Sequence, residues 1–107
     1  MIDYVFAGSD STAAKVLAQL GLIHPPKLVI TREDAPYGRK KELKQTEVAE
    51  IAIASDISLA KANDPTKALE LIHASGAPRG IVVSYGAILK GEVLDSLEWF
   101  NLHFSLL

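Results

Sequence analysis

Short apolar runs rich in β-branched residues alternate with stretches of helical spacing, and this alternation restricts the possible folds more than any other feature of the sequence. The runs that predict strands are Ile2–Ala7, Lys27–Thr31, Ile57–Leu59, Arg79–Ser84 and Trp99–Leu102. The stretches that predict helices are Thr12–Leu20, Thr46–Ala54 and residues 65–75, followed by a mixed segment with Leu94 and Leu97 at helical spacing. Strands that alternate with helices favour a parallel sheet, so the sequence predicts an α/β fold with helices on both faces of the sheet.

Capping and turn residues divide these elements. Asp64-Pro65 places an N-cap before a proline at the first helical position, and Gly21 and Gly76 stand where two helices are expected to end. Residues 32–44 have no apolar period and predict a loop. This segment has five basic and three acidic side chains, which gives a local charge of +2.

The composition restricts the chemistry that the chain can perform. Its 107 residues suit one domain, and the absence of cysteine excludes disulfides, thiolate metal sites and cysteine nucleophiles. The net charge of −2 gives no overall reason to expect binding to nucleic acid or to an anionic membrane. The N-terminus lacks the basic start of a secretion signal, and no apolar run approaches the roughly 20 residues of a membrane span. We therefore expect a cytoplasmic protein.

Small and polar residues follow three of the predicted strands, at Gly8–Ser11, Ser84–Gly86 and Asn101–Ser105. In parallel α/β sheets, ligands bind outside the carboxyl ends of the strands, so these segments form the candidate binding edge. The dinucleotide fingerprint requires three spaced glycines, whereas the segment around Gly8 has one. An ordinary turn from strand to helix is therefore favoured there over nucleotide binding.

A basic cluster, Arg39, Lys40 and Lys41 with Lys44 nearby, stands out in an acidic chain. These side chains could contact phosphates, but solvated surface charge is the interpretation that the sequence alone favours. Tyr37 is the aromatic residue beside the cluster, so the sequence gives little support for stacking on nucleobases.

The three histidines lack the paired spacing of metal ligands. His24 precedes two prolines and is expected in a turn, and His73 is expected at the surface of a helix. His103 lies two residues after Asn101, so on an extended strand the two side chains share one face. An amide and an imidazole aimed at one point could stabilise an oxyanion, and the imidazole could transfer a proton. A strand-end histidine bonded to the backbone explains the spacing equally well.

Four segments, in order along the chain, resemble the folate-dependent formyltransferases. "FNLHFSLL" (100–107) resembles the Asn-x-His-x-Ser-Leu-Leu-Pro signature of that superfamily. "VVSYGAIL" (82–89) is similar to the strand and Tyr-Gly turn that precede the folate pocket, and "YVFAGSDSTAAKVLAQL" (4–20) to the first strand and helix. "TREDAPYGRKKELKQTEVAEIA" (31–52) resembles the Gly-Arg-containing basic loop of the methionyl-tRNA formyltransferase branch. The resemblance covers the whole chain.

The resemblance implies a Rossmann-like fold and the N-terminal part of a formyltransferase catalytic domain (residues 1–107), with the rest of that domain and a C-terminal barrel beyond. It implies transfer of a formyl group from 10-formyltetrahydrofolate, the co-substrate, to the amino group of methionyl-tRNA in translation initiation, without a metal. The implied partners are initiator methionyl-tRNA and the folate, with no membrane, and the full-length protein is expected to be a monomer.

The resemblance also assigns roles to residues. Asn101 would donate a hydrogen bond to the tetrahedral oxyanion, and a positively charged His103 would stabilise it. The folate would contact Ser105, Leu106 and Leu107, and the pterin pocket would be walled by Ile88, Leu89, Val93 and Leu94. The acceptor-stem phosphates would meet Arg39, Lys40 and Lys41. In the family a catalytic aspartate lies further along, so we expect no useful transferase activity from these 107 residues alone.

Two other functions fit the sequence. One is a different amine formyltransferase, acting on glycinamide ribonucleotide or on an amino sugar. The other belongs to a different class, a non-catalytic α/β module that binds a folate or a partner chain.

Overall fold

A computed structural model of the chain describes residues 2–85 and 91–102. Within these ranges, the strands are β1 (Tyr4–Gly8), β2 (Leu28–Thr31), β3 (Ala35–Tyr37), β4 (Glu42–Lys44), β5 (Leu59–Lys61), β6 (Arg79–Val83) and β7 (Glu98–Asn101). The α-helices there are α1 (Ser11–Ile23), α2 (Glu47–Ala54), α3 (Leu69–Ser75) and α4 (Gly91–Ser96), and a 3-10 turn (Pro65–Ala68) leads into α3.

The described residues contain one five-stranded sheet, in the order β5-β2-β1-β6-β7. Every pairing within it is parallel. The chain adds β2 and β5 on one side of β1, then crosses back and adds β6 and β7 on the other side. The predicted Rossmann-like α/β sheet flanked by helices is confirmed. Its topological switch point lies between the carboxyl ends of β1 and β6.

Polar side chains fix the starts of the helices. The Asp10 carboxylate accepts a hydrogen bond from the Ala13 N–H at 2.9 Å, and the Thr46 hydroxyl accepts one from the Ala49 N–H at 3.0 Å. Asp64 caps the 3-10 turn in the same way. Each bond satisfies a backbone donor that has no partner inside its helix, so short polar residues determine where the helices begin.

The end of α1 differs from the prediction. The helix continues through Gly21 and stops at Ile23, immediately before His24 and the pair Pro25-Pro26. The residue before a proline is pushed out of the helical region, so the prolines set this boundary and not the glycine. Gly76, in contrast, has a left-handed φ of +69° and ends α3 as predicted.

Strand β5 begins at Leu59, two residues later than predicted. The Ile57 N–H still donates to the Ala52 carbonyl at 2.9 Å, so Ile57 belongs to the exit from α2. At the other end the Ala62 N–H donates to the Thr31 carbonyl at 2.8 Å, which extends the pairing with β2 into polar sequence. Apolar runs therefore located the strand but not its limits.

Two apolar layers cover the sheet, one on each face. Helices α1 and α2 pack on one face through a cluster that includes Phe6, Ala13, Leu17, Val29, Val48 and Ala52. The 3-10 turn, α3 and α4 pack on the other face through a cluster that includes Val5, Ala7, Ile30, Ala68, Ile72 and Val93. Side chains alternate along a strand, which is why neighbouring residues of β1 enter different layers.

Residues 32–44 contain an antiparallel hairpin where the sequence predicts a loop. Strands β3 and β4 pair from Ala35 opposite Lys44 to Tyr37 opposite Glu42, and residues 38–41 turn between them. Apart from the half-buried Ala35, both strands are exposed. A hairpin without a buried face shows no apolar alternation, so the pattern that predicts strands is missing.

An apolar groove of about 530 Å³ lies beside α1, over β6 and β7. Its lining includes Leu20, Ile23, Ile81, Phe100 and Leu102. Crossovers between parallel strands are right-handed, and after β5 the chain reverses the direction in which it adds strands. For this reason α3 and α4 lie on the face of the sheet opposite to α1 and α2. The helices of the described ranges therefore leave this part of the sheet open.

Trp99 anchors the edge strand β7. It lies opposite Gly80 of β6, and a Cβ at Gly80 would overlap the indole ring. The indole N–H donates to the Val93 carbonyl at 2.8 Å, which ties β7 to α4. The strand that ends in Asn101 is thus held by a ring that only a glycine neighbour accommodates.

We expect Gly80→Ala to destabilise the fold by about 1 to 3 kcal/mol, because the added methyl group displaces the Trp99 ring. Trp99 is the only tryptophan, so its fluorescence during urea unfolding reports on this packing. Gly21→Ala is the matched control, since nothing lies within 4 Å of a Cβ there. Alanine in that helix should stabilise by about 0.5 to 1 kcal/mol. Equal unfolding midpoints for the two variants would contradict the packing described.

Candidate active site at the carboxyl edge of the sheet

The carboxyl ends of β1, β6 and β7 form one edge of the sheet, as the sequence predicts. Gly8 pairs with Val83 and Val82 pairs with Asn101, so the three strands end at nearly the same level. Between β1 and β6 the edge opens into a cleft of about 320 Å³, lined by Ser9, Asp10, Arg32, Ser84 and Tyr85. Ligands of parallel α/β sheets bind at this place, the switch point.

The hydroxyl group of Ser9 joins three strand ends. It donates to the Tyr85 carbonyl at 2.9 Å and accepts from the Arg32 backbone N–H at 3.2 Å. The Ser9 backbone N–H donates to the Ser84 carbonyl at 3.1 Å. Ser9 is buried, so losing its hydroxyl would leave groups without an easy replacement partner. One small side chain therefore holds together the exits of β1, β2 and β6.

Tyr85 extends this network to β5. Its hydroxyl donates to the Ala62 carbonyl, just beyond β5, while its own carbonyl accepts from Ser9. The side chain is buried in the layer of α3 and α4. Burial, with a smaller contribution from the charges of Asp64 and Glu33, raises the pKa of Tyr85 to about 12. The phenol therefore stays protonated, and remains a donor, at alkaline pH values where an exposed tyrosine would ionise.

Gly8 permits the close packing at the switch point. A Cβ added there would lie 2.6 Å from the Ala13 Cβ and 2.6 Å from the Val83 carbonyl oxygen. Neither α1 nor β6 could then keep its place. The glycine serves helix–strand packing, which agrees with the ordinary turn favoured from the sequence.

Ser84 has a left-handed φ of +47°, which is uncommon for a residue other than glycine. Such backbone conformations cost about 1 to 3 kcal/mol and persist when neighbouring contacts determine them. Here the Ser84 carbonyl is held by the Ser9 N–H. The strained residue lies at the switch point, between β6 and the anchored Tyr85.

Two buried hydroxyl groups close the base of the hairpin. Thr31, at the end of β2, and Thr46, before α2, share a hydrogen bond of 2.7 Å between their Oγ1 atoms. Both residues are buried. This single pair fixes the point where the chain leaves the sheet for the hairpin and the point where it returns.

Residues at the end of β5 support the same base from outside. Lys61 Nζ donates to Asp34 at 2.8 Å and to Gln45 at 3.1 Å, two residues on opposite arms of the hairpin. The Glu33 N–H donates to the Asn63 side chain at 2.9 Å. Exposed contacts of this kind contribute little individually. Together with the hydroxyl pair, they attach both arms to the sheet.

The predicted nucleic-acid-binding residues lie at the tip of the hairpin. Arg39, Lys40 and Lys41 occupy the turn between β3 and β4, and all three are exposed. Positive φ angles at Gly38 and Lys41 shape this turn. The structure thus presents three cations to solvent on a support with an anchored base.

The predicted catalytic and folate residues are described only in part. Asn101 is exposed at the end of β7, and alternation along the strand puts it on the same face as Trp99. Leu94 of α4 is half-exposed, whereas Val93 is buried in the core. Six other residues lie outside the described ranges: Ile88, Leu89, His103, Ser105, Leu106 and Leu107. The pairing of Asn101 with His103 and the folate contacts therefore stay predictions.

Of the two described histidines, one lies where the sequence predicts and one does not. His24 directly follows α1 with extended backbone (φ −160°, ψ 94°) and not in the predicted turn, and its ring lies 3.2 Å from the Ile2 carbonyl. His73 is exposed on α3, as predicted. Within residues 2–85 and 91–102, no group of three or more His, Cys, Asp or Glu side chains could hold a metal ion. No helix in these ranges has both the length and the apolar character needed to cross a membrane.

Sequence reasoning missed the residues that organise the edge. The sequence predicts Ser9 only as part of a turn, and Thr31 and Thr46 only as parts of a strand and a helix. The available signal was weak: a small polar residue directly after each apolar strand, and a threonine before a helix. Those positions indicate caps and turns, but not bonds between distant segments.

The fold and the edge define a class: an α/β protein with a parallel sheet, a candidate site at its switch point and a basic hairpin beside that site. No family model matches the chain. The methionyl-tRNA formyltransferase of Bifidobacterium adolescentis is 39% identical over 114 residues, which take in 100% of this chain and 35% of the relative. That of Clavibacter michiganensis subsp. michiganensis is 39% identical over 107 residues, with 96% of this chain and 35% of the relative. That of Clostridium tetani is 35% identical over 112 residues, with 100% of this chain and 36% of the relative.

The resemblance predicted from the sequence is confirmed: over its whole length, the chain is a sequence relative of the methionyl-tRNA formyltransferases. The chain spans about 35% of the length of these relatives.

Ser9→Ala should lower the free energy of unfolding by about 1 to 3 kcal/mol, because it leaves the Arg32 N–H and the Tyr85 carbonyl without their partner. Ser9→Thr keeps the hydroxyl and should recover most of the loss. Ser11→Ala, an exposed serine two residues away, is the matched control and should change stability by less than about 0.5 kcal/mol. Urea titration measures all three. A Ser9→Ala protein as stable as Ser11→Ala would contradict the role assigned to the hydroxyl.

The raised tyrosine pKa values predict a loss of stability in alkali. Burial raises the pKa of both Tyr4 and Tyr85 to about 12 in the folded chain. The unfolded chain ionises near the ordinary value of about 10, so stability is intact below that pH and falls as the pH rises towards about 12. Tyr85→Phe should make this fall shallower in melting experiments across the same range. If the stability of Tyr85→Phe fell with pH as steeply as that of the wild type, Tyr85 would have the same pKa in the folded and unfolded chain, which would contradict this prediction.

Proposed function

We propose that the chain forms the N-terminal part of the catalytic domain of a methionyl-tRNA formyltransferase. That enzyme would transfer the formyl group of 10-formyltetrahydrofolate to the amino group of initiator methionyl-tRNA in the cytoplasm. The observation that carries the proposal is the similarity of the whole chain to enzymes of that name, at 35–39% identity. The parallel sheet has a cleft at its switch point, which is where α/β proteins of this kind bind their ligands.

The reaction needs charge stabilisation where the formyl carbon changes geometry. The amine nitrogen attacks this carbon, a new C–N bond forms, and the carbonyl oxygen becomes a tetrahedral oxyanion. Asn101 would donate its amide N–H to that oxygen. His103, in its positively charged form, would stabilise the negative charge of the oxyanion. The attacking nitrogen then loses a proton, the oxyanion collapses, the bond to the folate nitrogen breaks, and that nitrogen takes up a proton. In this scheme an amide and an imidazole stabilise the charge, so no metal is needed.

The exposed position of Asn101 supports this role. It ends an edge strand that Trp99 anchors through the Val93 carbonyl and the missing side chain of Gly80. Losing one oxyanion donor typically raises a barrier by about 3 kcal/mol, on the order of a hundredfold in rate. A strand end with a fixed position is a suitable place for a donor that must meet a transient charge.

The folate would lie along the same edge, against Ser105, Leu106, Leu107, Ile88, Leu89, Val93 and Leu94. Of the two that the structure describes, Leu94 is half-exposed and can meet a flat ring directly. Val93 is buried, so its contribution would be to support the wall from inside the core. Apolar walls with a few polar groups are typical of pockets for flat cofactors.

The hairpin would hold the tRNA. Arg39, Lys40 and Lys41 lie together at an exposed tip, as phosphate contacts require. The buried Thr31–Thr46 bond and the contacts of Lys61 attach both arms of the hairpin to the sheet. A cationic tip on an anchored base would position the acceptor stem relative to the edge that carries Asn101.

A chimaera tests the proposal. These 107 residues replace the matching part of the Bifidobacterium adolescentis enzyme, and formylation of methionyl-tRNA is measured. We expect an active chimaera, a roughly hundredfold slower Asn101→Ala variant, and no useful transfer by the 107 residues alone. Transfer to glycinamide ribonucleotide or an amino sugar, with none to methionyl-tRNA, would overturn the proposal. Folate binding measured by calorimetry, with no transfer to any amine, would indicate a binding module.

Changing Arg39, Lys40 and Lys41 together to alanine in the chimaera should weaken tRNA binding and leave folate binding unchanged. Affinity for nucleic acid falls as salt rises, and removing three phosphate contacts should make the slope of log affinity against log salt less steep by about 2 to 3. Changing Lys15, Lys27 and Lys67 to alanine removes the same charge elsewhere on the surface and is the control. Equal slopes for the two triple variants would show that only overall charge matters.

A further inference from the structure

A second cleft, of about 280 Å³, lies between the hairpin and the starts of α1 and α2. The reaction proposed above does not use it. Its lining includes Tyr37 and Lys44 from the hairpin, Arg32 after β2, Asp10 before α1 and Glu47 at the start of α2. Ser9, at the carboxyl edge of the sheet, also lines this cleft. The cleft therefore extends from the basic hairpin to that edge.

Tyr37 gives this cleft an aromatic surface. The residue is 66% exposed at the end of β3, immediately before the turn that carries the basic tip. The ammonium group of Lys44, diagonally opposite on β4, lies 4.4 Å from the centre of the ring. A cation at this distance interacts with one face of the ring and holds the side chain against the hairpin. An exposed aromatic ring among cations is the usual platform on which proteins stack the bases of single-stranded nucleic acid.

The charges around the cleft favour a neutral group over a phosphate. The described residues that line it include two basic side chains, Arg32 and Lys44, and two acidic ones, Asp10 and Glu47. Their charges cancel, and a phosphate group entering the cleft would meet two carboxylates. A flat neutral ring with polar edges avoids this repulsion, because it can stack on Tyr37 while its edge meets side-chain donors and acceptors.

From the exposed Tyr37 ring, the adjacent cation and the balanced charge of the cleft, we infer that this cleft binds one unpaired nucleobase of an RNA strand, stacked on Tyr37. The inference rests on the proposed function, since it adds a base-binding site to the phosphate contacts of the hairpin tip. The basic tip contacts the phosphates of a duplex through Arg39, Lys40 and Lys41, and these contacts do not distinguish a blunt end from one with an unpaired nucleotide. Tyr37 recognises whether an unpaired nucleotide follows that duplex.

The test compares two RNA probes with the purified 107-residue chain. One is a blunt hairpin stem, and the other is the same stem with a short single-stranded 3′ extension that contains 2-aminopurine. We expect the wild-type chain to prefer the extended probe and to quench its 2-aminopurine fluorescence. Tyr37→Ala should lower affinity for the extended probe about tenfold, leave the blunt probe unchanged and abolish the quenching. Tyr37→Phe keeps the ring and should behave as wild type.

The control variant changes Arg39, Lys40 and Lys41 to alanine. It should lower the affinity for both probes by the same factor, because it removes phosphate contacts only. The inference would be overturned if Tyr37→Ala lost the same affinity for both probes, or lost affinity for neither. If the wild-type chain binds neither probe, the inference falls together with the proposed tRNA contacts. If Tyr37 distinguishes the probes but the chimaera does not formylate methionyl-tRNA, the inference stands and the proposed reaction fails.

Discussion

The packing at Gly8, where β1, β6 and α1 meet, is the constraint on which the rest of the edge depends. A Cβ there would lie 2.6 Å from both the Ala13 Cβ and the Val83 carbonyl oxygen, so β1 and β6 could not keep their pairing at the switch point. Because the strands do approach, the next residue, Ser9, reaches the exits of β2 and β6 with one buried hydroxyl. A missing side chain and the polar one that follows it thus close the edge at which the candidate site lies.

The edge combines a fixed framework with exposed reactive groups. Buried bonds hold the framework: Ser9 to Tyr85, and Thr31 to Thr46 at the base of the hairpin. The residues proposed to meet substrates are exposed, with Asn101 at the end of β7 and Arg39 at the hairpin tip. This separation makes chemical sense, since buried polar networks specify geometry while exposed groups remain free to change partners. Mutations in the two sets should therefore affect different properties, stability in one and binding or rate in the other.

Sequence patterns predicted the order of the main elements and the parallel sheet, because apolar period and capping residues are local signals. They failed where tertiary contacts outweighed the local signal. The hairpin of residues 32–44 has no buried face, so its strands leave no apolar alternation to detect. Helix α1 continues through Gly21 until the prolines stop it, and β5 begins at Leu59 because Ile57 still bonds to the end of α2. The edge itself was predicted, but the hydroxyl network that organises it was not.

The sequence by itself determined the alternation of strands and helices, the helix caps at Asp64 and Gly76, and the similarity to the methionyl-tRNA formyltransferases. These properties depend on neighbouring residues or on the order of short motifs along the chain. Only the tertiary structure decided which polar groups meet, because the partners are far apart in sequence: 76 residues separate Ser9 from Tyr85, and 15 separate Thr31 from Thr46. A hydroxyl group can bond to any donor or acceptor within reach. The packing of the sheet selects the partners by burying the hydroxyl where water cannot compete.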